Sequence, residues 1–115
     1  MGIVLLIAVV VAVLLRTPSR PYELIPPVGQ GIVLPPSEIR YCLAEKIRMD
    51  GAKSAFNNAN NYSGSDVDRF NAMVGDYNSR CERFQYRRGE LESARSYIER
   101  YRSQLWNDGR NRFVR

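Results

Sequence analysis

The feature that most constrains this chain is a regular apolar stripe between residues 67 and 84. Successive apolar residues in this stretch are spaced 3, 4, 3, 4 and 3 positions apart: Val67, Phe70, Val74, Tyr77, Cys81 and Phe84. This spacing places all of them on one side of a helix and leaves the other side polar. The stripe therefore predicts a helix that packs one face against another part of the protein.

The stripe contains one of the two cysteines, and the position of the other predicts a helical hairpin. Midway between Cys42 and Cys81 lies the most turn-like run of the sequence, Asn-Asn-Tyr-Ser-Gly-Ser at residues 60–65. Cys42 to Asn58 and Ser65 to Cys81 are both separations of 16 residues. Two such antiparallel arms rise about 24 Å each and bring the cysteines to the same level.

We therefore predict a disulfide between Cys42 and Cys81, which is typical of an oxidising compartment. Two reduced cysteines buried in a core are the first alternative. A redox-active pair is the second and is less favoured, because the sequence has no Cys-x-x-Cys motif and both cysteines fall in the middle of apolar faces.

Residues 2–15 carry no charged and no polar side chain. As a helix they would rise about 21 Å, which is short of the ~30 Å hydrocarbon core of a bilayer. We interpret residues 1–16 as a short membrane anchor, with Arg16 and Arg20 extending to the headgroups. A cleaved signal peptide and a segment buried in an assembly are the alternatives. The signal peptide is disfavoured because no basic residue precedes the apolar run and no small-residue cleavage site follows it.

Residues 17–36 contain every proline of the chain, so this segment is predicted to be an extended, semi-rigid spacer. Helix one is predicted to begin at Ser37, with Cys42 on its apolar face and Glu45 and Arg48 on its polar face. Helix two is predicted to begin with Ser65 as its N-cap.

A third helix is predicted after the turn at Gly89, because a second 3, 4, 3, 4 stripe follows it: Leu91, Ala94, Ile98, Tyr101 and Leu105. Asn107-Asp108-Gly109 is predicted to end it, and residues 111–115 form a basic tail. The predicted fold is all-α, with an N-terminal membrane anchor helix, a proline-rich spacer and a three-helix domain over residues 37–110. In that domain an antiparallel hairpin packs against the third helix.

The basic charge of the chain is confined to its last third. Residues 1–78 contain 7 Lys and Arg against 7 Asp and Glu, whereas residues 79–115 contain 10 Arg against 5 Asp and Glu, which accounts for the net charge of +5. The densest basic and aromatic cluster is a candidate site for a partner or an anion: Arg80, Arg83, Tyr86, Arg87 and Arg88. The alternative is structural, with the arginines covering aromatic rings at the end of the bundle.

Several kinds of chemistry are excluded by composition. The chain has no histidine, which excludes His-based triads, and its two cysteines cannot form a four-ligand metal site by themselves. The acidic residues are interpreted as solvated or capping residues of helices: Glu45, Asp50, Asp66, Asp68, Asp76 and Glu82. We therefore predict no catalytic residue, no metal site and no cofactor.

The sequence predicts a non-enzymatic, membrane-anchored helical interaction or accessory subunit of a cell-envelope assembly. Its predicted partners are the lipid bilayer, through residues 2–15, and an envelope protein or anionic envelope polymer, through the helical domain and arginine-rich end. An oligomer is also compatible with single apolar stripes. The cysteine register predicts a periplasmic or extracellular helical domain.

The alternative is an anchored helical protein that faces the cytoplasm and binds acidic partners, anionic lipid or nucleic acid. The positive-inside rule favours it, because Arg16 and Arg20 flank the anchor on its C-terminal side. Nucleic acid is the least favoured of these partners, since the sequence contains no nucleic-acid-binding motif.

Overall fold

Four helices and one short strand pair form the part of the chain that a computed structural model describes, residues 20–58 and 63–113. The helices are α1 (Pro36–Asn58), α2 (Gly64–Cys81), α3 (Glu90–Glu99) and α4 (Arg102–Arg110). Strands β1 (Ile32–Val33) and β2 (Phe84–Gln85) pair in parallel. The protein is therefore mostly helical, as predicted. The anchor predicted over residues 1–16 lies outside the described residues, within which no helix is long and apolar enough to cross a membrane.

Helix α1 is the central element, and the other helices pack around it. It begins at Pro36, one residue before the predicted start, because proline fits the first turn of a helix, where its missing N–H has no partner to lose. The amides of Glu38 and Ile39 donate to the carbonyl of Pro35 at 3.0 Å each. Its core positions are occupied mainly by small and aliphatic residues: Ile39, Cys42, Ala44, Ile47, Ala52 and Ala55.

Helix α2 begins earlier than predicted, with Ser63 rather than Ser65 as its N-cap. The Ser63 hydroxyl accepts from the Asp66 amide at 3.3 Å, and the Asp66 carboxylate accepts from the Ser63 amide at 3.2 Å. This capping box buries Asp66, whereas Asp68 stays exposed. Of the predicted stripe within α2 only Cys81 is fully buried, and four members are half-buried: Val67, Phe70, Val74 and Tyr77.

The predicted third helix is two helices, because the chain leaves helical geometry at Tyr101 (φ −109°, ψ 8°). Ile98 and Leu105, on either side of this break, still enter one core cluster with Ala44 and Ile47. The break allows α4 to cross α1 closely while the stripe stays buried.

Two glycines make this crossing close. A Cβ at Gly51 would meet the carbonyl of Trp106, and a Cβ at Gly109 would meet the carbonyl of Arg48. Gly109 is buried inside α4, which continues to Arg110. The predicted end of the helix at Asn107–Gly109 is therefore wrong, because Gly109 is required for helix contact rather than for a turn.

The proline-rich segment is extended, as its prolines predict, but it lies along the helices instead of standing apart from them. Its backbone amides donate to remote carbonyls: Gly29 to Ser79 at 3.0 Å, Gly31 to Arg83 at 2.7 Å and Leu34 to Gln85 at 2.9 Å. Leu34 is 1% exposed and belongs to the core around the cysteines. The described part of this segment, residues 20–35, is therefore packed on the helices.

Candidate interaction surface

The predicted disulfide is present and joins α1 to the C-terminal end of α2. Cys42 and Cys81 have Cα atoms 5.5 Å apart and side chains buried among Leu34, Ile39 and Ala94. Cys81 is the last residue of α2. The bridge therefore fixes the point in space at which the arginine-rich end, residues 80–88, leaves the helix.

The strand pair holds the middle of the arginine-rich end. Ile32 pairs with Phe84 and Val33 with Gln85. Phe84 packs against the core around the disulfide, and its ring centroid lies 6.1 Å from that of Tyr86, whose side chain is 47% exposed. Tyr86 is thus held beside the core around the disulfide while about half of the residue remains accessible to solvent.

The arginines of this end divide into two kinds. Arg80 is structural, because its Nη1 donates to the carbonyl of Pro26 at 2.6 Å and its Nε to Asp76 at 3.1 Å. Arg83, Arg87 and Arg88 are exposed. Their side chains form neither an ion pair nor a hydrogen bond with any residue in the two described ranges. The structure therefore presents three exposed guanidinium groups that lie within three residues of Tyr86 in the sequence.

A second charged cluster was not predicted as a unit, and we call it the charge clasp: Glu23, Glu45, Arg48 and Arg112. Glu45 accepts from Arg48 Nε at 2.7 Å and from Arg112 Nη2 at 2.9 Å. Arg48 also pairs with Glu23. The clasp joins the proline-rich segment, α1 and the chain after α4.

The prediction that Glu45 and Arg48 lie on a solvated helix face is therefore wrong. Glu45 is 7% exposed, because remote parts of the chain cover this side of α1. The spacing of Glu45 and Arg48 suggests only their mutual pair. Their other partners, Glu23 and Arg112, lie 25 residues from Arg48 and 67 from Glu45, and no local pattern indicates such contacts.

The clasp favours the charged forms of Glu45 and Arg48. Burial alone would raise the pKa of Glu45, but hydrogen bonds and positive charge from Arg112 and Arg48 outweigh it, so the pKa lies below that of an ordinary glutamate. Burial would likewise lower the pKa of Arg48, and Glu23 and Glu45 instead raise it.

A cleft of about 610 Å³ runs beside the clasp. Its wall includes Arg48 and Arg112 together with Glu23, Glu45 and Asp108. Arg48 and Arg112 are paired with carboxylates, whereas Arg20, at the same wall, is exposed and forms no ion pair with a described residue. The arginine-rich end differs from this wall because its three exposed arginines lie within the six consecutive residues 83–88.

Exposed apolar side chains are concentrated on the proline-rich segment. In the described ranges, five of the six large apolar side chains that are strongly exposed belong to it: Tyr22, Leu24, Ile25, Val28 and Val33. The sixth is Tyr86. The sequence alone does not indicate this surface, because the prolines of the segment predict only a spacer.

No family model, curated protein or solved structure matches this chain. In residues 20–58 and 63–113 no three acidic or cysteine side chains are grouped so that they could bind a metal ion.

Proposed function

We propose that the protein is a non-enzymatic, membrane-anchored accessory subunit of a cell-envelope assembly. It binds an acidic partner, either a protein face or an anionic envelope polymer, through its helical domain and arginine-rich end. The observation that carries this proposal is the exposure of Arg83, Arg87 and Arg88 without partners in the described part of the chain. Guanidinium groups bind carboxylates and phosphates with two parallel hydrogen bonds, which suits a recognition surface.

The scaffold supports a binding role because it orders the arginine-rich end in advance. The disulfide fixes the end of α2, and the strand pair fixes Phe84 and Gln85. A surface ordered before binding loses less conformational entropy on association than a flexible tail does. The same disulfide is compatible with an oxidising compartment, and the apolar sequence of residues 2–15 supports the anchor.

The partner surface is tested by replacing Arg83, Arg87 and Arg88 together with glutamine. The protein is extracted from its host membranes in mild detergent, and the size of its complex is measured by native electrophoresis. We expect the wild type to migrate in a larger complex and the variant to lose it. The matched control replaces three exposed basic residues elsewhere, Lys53, Arg100 and Arg110, and removes the same charge. If both variants keep the complex, the arginine-rich end is not the binding surface.

The compartment is tested by alkylating the membrane-extracted protein under gentle denaturation without reductant and measuring its intact mass. No adduct before reduction and two after it would support the exterior location. Two adducts without reductant would mean free thiols in the cell. That result would favour the cytoplasm-facing alternative, which Arg16 and Arg20 on the C-terminal side of the apolar run support.

A further inference from the structure

The proline-rich segment is packed on the helices with five of its large apolar residues exposed. Pro21, Pro26 and Leu34 are buried, and Glu23 is turned into the charge clasp. Between these positions, five residues that we call the outer strip are exposed by 48 to 65%: Tyr22, Leu24, Ile25, Val28 and Val33. In an ordinary surface segment charged side chains are exposed and apolar side chains are buried. Here Glu23 is largely covered and five apolar residues are exposed.

The outer strip carries no charge. Glu23 is the single Asp, Glu, Lys or Arg among residues 21–34, and its carboxylate pairs with Arg48. Because Glu23 is paired with Arg48, the segment has no unpaired formal charge that would have to be desolvated on contact with an apolar environment. Most soluble surfaces are interspersed with charge, so an uncharged apolar face of this kind indicates a contact.

The chain itself supplies the nearest apolar environment. Leu15, the last residue of the apolar run, is seven positions before Tyr22. Seven residues span at most about 25 Å when fully extended. If residues 2–15 lie in the bilayer, the beginning of the outer strip therefore lies within about 25 Å of the point where the chain leaves it. Tyrosine, with an apolar ring and a polar hydroxyl, is enriched at this depth.

We infer that the outer strip lies on the membrane and contacts the headgroup and upper acyl region of phospholipids. This inference rests on the anchor in the proposed function and extends it. The helical domain is held against the bilayer rather than at the end of a spacer. Val33 pairs with Gln85, the neighbour of Tyr86, so the arginine-rich end is placed at a fixed height beside the lipid surface.

The test uses the full chain reconstituted in vesicles of phosphatidylcholine and phosphatidylglycerol. Small fractions of the phospholipid carry a photoactivatable diazirine either near the headgroup or midway along an acyl chain, so that both depths are probed. After irradiation, peptides are mapped by mass spectrometry, and fragment spectra locate the lipid adducts. We expect adducts in residues 2–15 and also at Tyr22, Leu24, Ile25 and Val28. Peptides of the middle of α2, residues 67–74, which form no hydrogen bond with residues 21–34, serve as the internal reference and should be labelled far less.

The outcomes separate the inference from the proposal on which it rests. Adducts in residues 2–15 but not in the outer strip would overturn the inference and leave the anchor intact. Adducts in neither would contradict the anchor as well. Adducts in the strip alone would support the membrane contact and contradict the anchor. A strip without lipid adducts in a chain that migrates as a dimer in mild detergent would mean that a second copy covers the strip, and would also overturn the inference.

A variant with Leu24→Ser, Ile25→Ser and Val28→Ser tests whether the apolar side chains themselves make the contact. Because these side chains are exposed, the fold and the thermal unfolding temperature should be retained. Removing three aliphatic side chains from an apolar contact should reduce strip adducts by about tenfold or more, with adducts in residues 2–15 unchanged. The control variant Leu24→Ile, Ile25→Leu and Val28→Ile keeps the apolar surface and should be labelled like the wild type. Equal labelling of the serine variant would refute the contact.

Discussion

At the scale of single residues, Glu45 is the buried carboxylate that joins two arginines of the charge clasp. Two arginines hydrogen-bond to its carboxylate, which is almost completely removed from solvent. Replacing it by glutamine leaves Arg112 without an opposite charge, while Arg48 keeps only Glu23. We expect Glu45→Gln to reduce the free energy of unfolding by about 3 kcal/mol at neutral pH, as is typical when one partner of a buried pair is removed. The measurement is urea unfolding followed by circular dichroism.

The pH dependence of this loss follows from the direction of the pKa shift. The pKa of Glu45 is lowered in the folded protein, so its stabilisation is complete above the ordinary glutamate pKa of about 4.3. The stabilisation declines as the pH falls through the lower folded pKa. The difference between wild type and Glu45→Gln should therefore shrink on acidification. Glu92→Gln, which breaks an exposed pair with Arg95, is the control and should change stability little. A pH-independent difference would contradict this account.

Gly109 allows a second prediction at this scale, because its environment leaves no room for a side chain. A Cβ there would overlap the backbone of Arg48, which cannot move without shifting α1. We expect Gly109→Ala to destabilise the protein by about 2–3 kcal/mol in urea unfolding. Gly75 lies in α2 with no atom near the position of its missing Cβ. Gly75→Ala should therefore stabilise by up to about 1 kcal/mol, through helix propensity alone. If both variants changed the free energy of unfolding in the same direction, the close contact between α1 and α4 would not explain the effect of Gly109→Ala.

At the scale of elements, the start of α2 provides a direct test. Ser63 and Asp66 satisfy each other's backbone amides, whereas Ser65 contributes only a hydroxyl contact to Ser63 at 2.7 Å. We expect Ser63→Ala to cost about 1 kcal/mol of stability and Ser65→Ala to cost much less. Thermal unfolding of the two variants, which have the same change in composition, makes the comparison. If Ser65→Ala lost more stability than Ser63→Ala, Ser65 would act as the N-cap of α2, as predicted from the sequence.

The same elements show how far the sequence determines the fold. Periodicity identifies the helices because it reflects burial of one face, and the cysteine register identifies which two are bridged. Local spacing does not distinguish Ser63–Asp66 from Ser65–Asp68, since both pairs are three residues apart. It also does not show the break at Tyr101. The stripe runs through the break because Ile98 and Leu105 remain in one core, and the crossing at Gly51 and Gly109 is a tertiary contact.

At the scale of the whole molecule, three ties join parts of the chain that are remote in sequence. The disulfide joins α1 to α2, the strand pair joins the proline-rich segment to the arginine-rich end, and the clasp joins that segment to α1 and the chain after α4. The arginine-rich end is recognisable in the sequence as a cluster because its residues are contiguous, and its role as a binding site stays a prediction. The outer strip could not, because its exposure depends on which side of an extended segment meets the helices.

The disulfide allows the last prediction, since it closes a loop between residues 39 positions apart. In the chain-entropy account, such a loop stabilises the folded state by about 4 kcal/mol. We expect the double variant Cys42→Ala and Cys81→Ala to lose this amount in urea unfolding. Reductant should weaken the wild type but leave the variant unchanged, which separates the bridge from the loss of the sulfur atoms.

Removing the bridge should also destabilise the strand pair, because Cys81 fixes the chain that leads into β2. We expect the amides of Gly31 and Leu34, which donate to Arg83 and Gln85, to exchange hydrogen faster in the double variant. The amides of α4, which packs on α1 at a distance from the bridge, are the internal control. Uniformly faster exchange in both regions would mean that the bridge stabilises the molecule globally. Unchanged exchange at Gly31 and Leu34 would mean that the core around Leu34 orders the arginine-rich end without the disulfide.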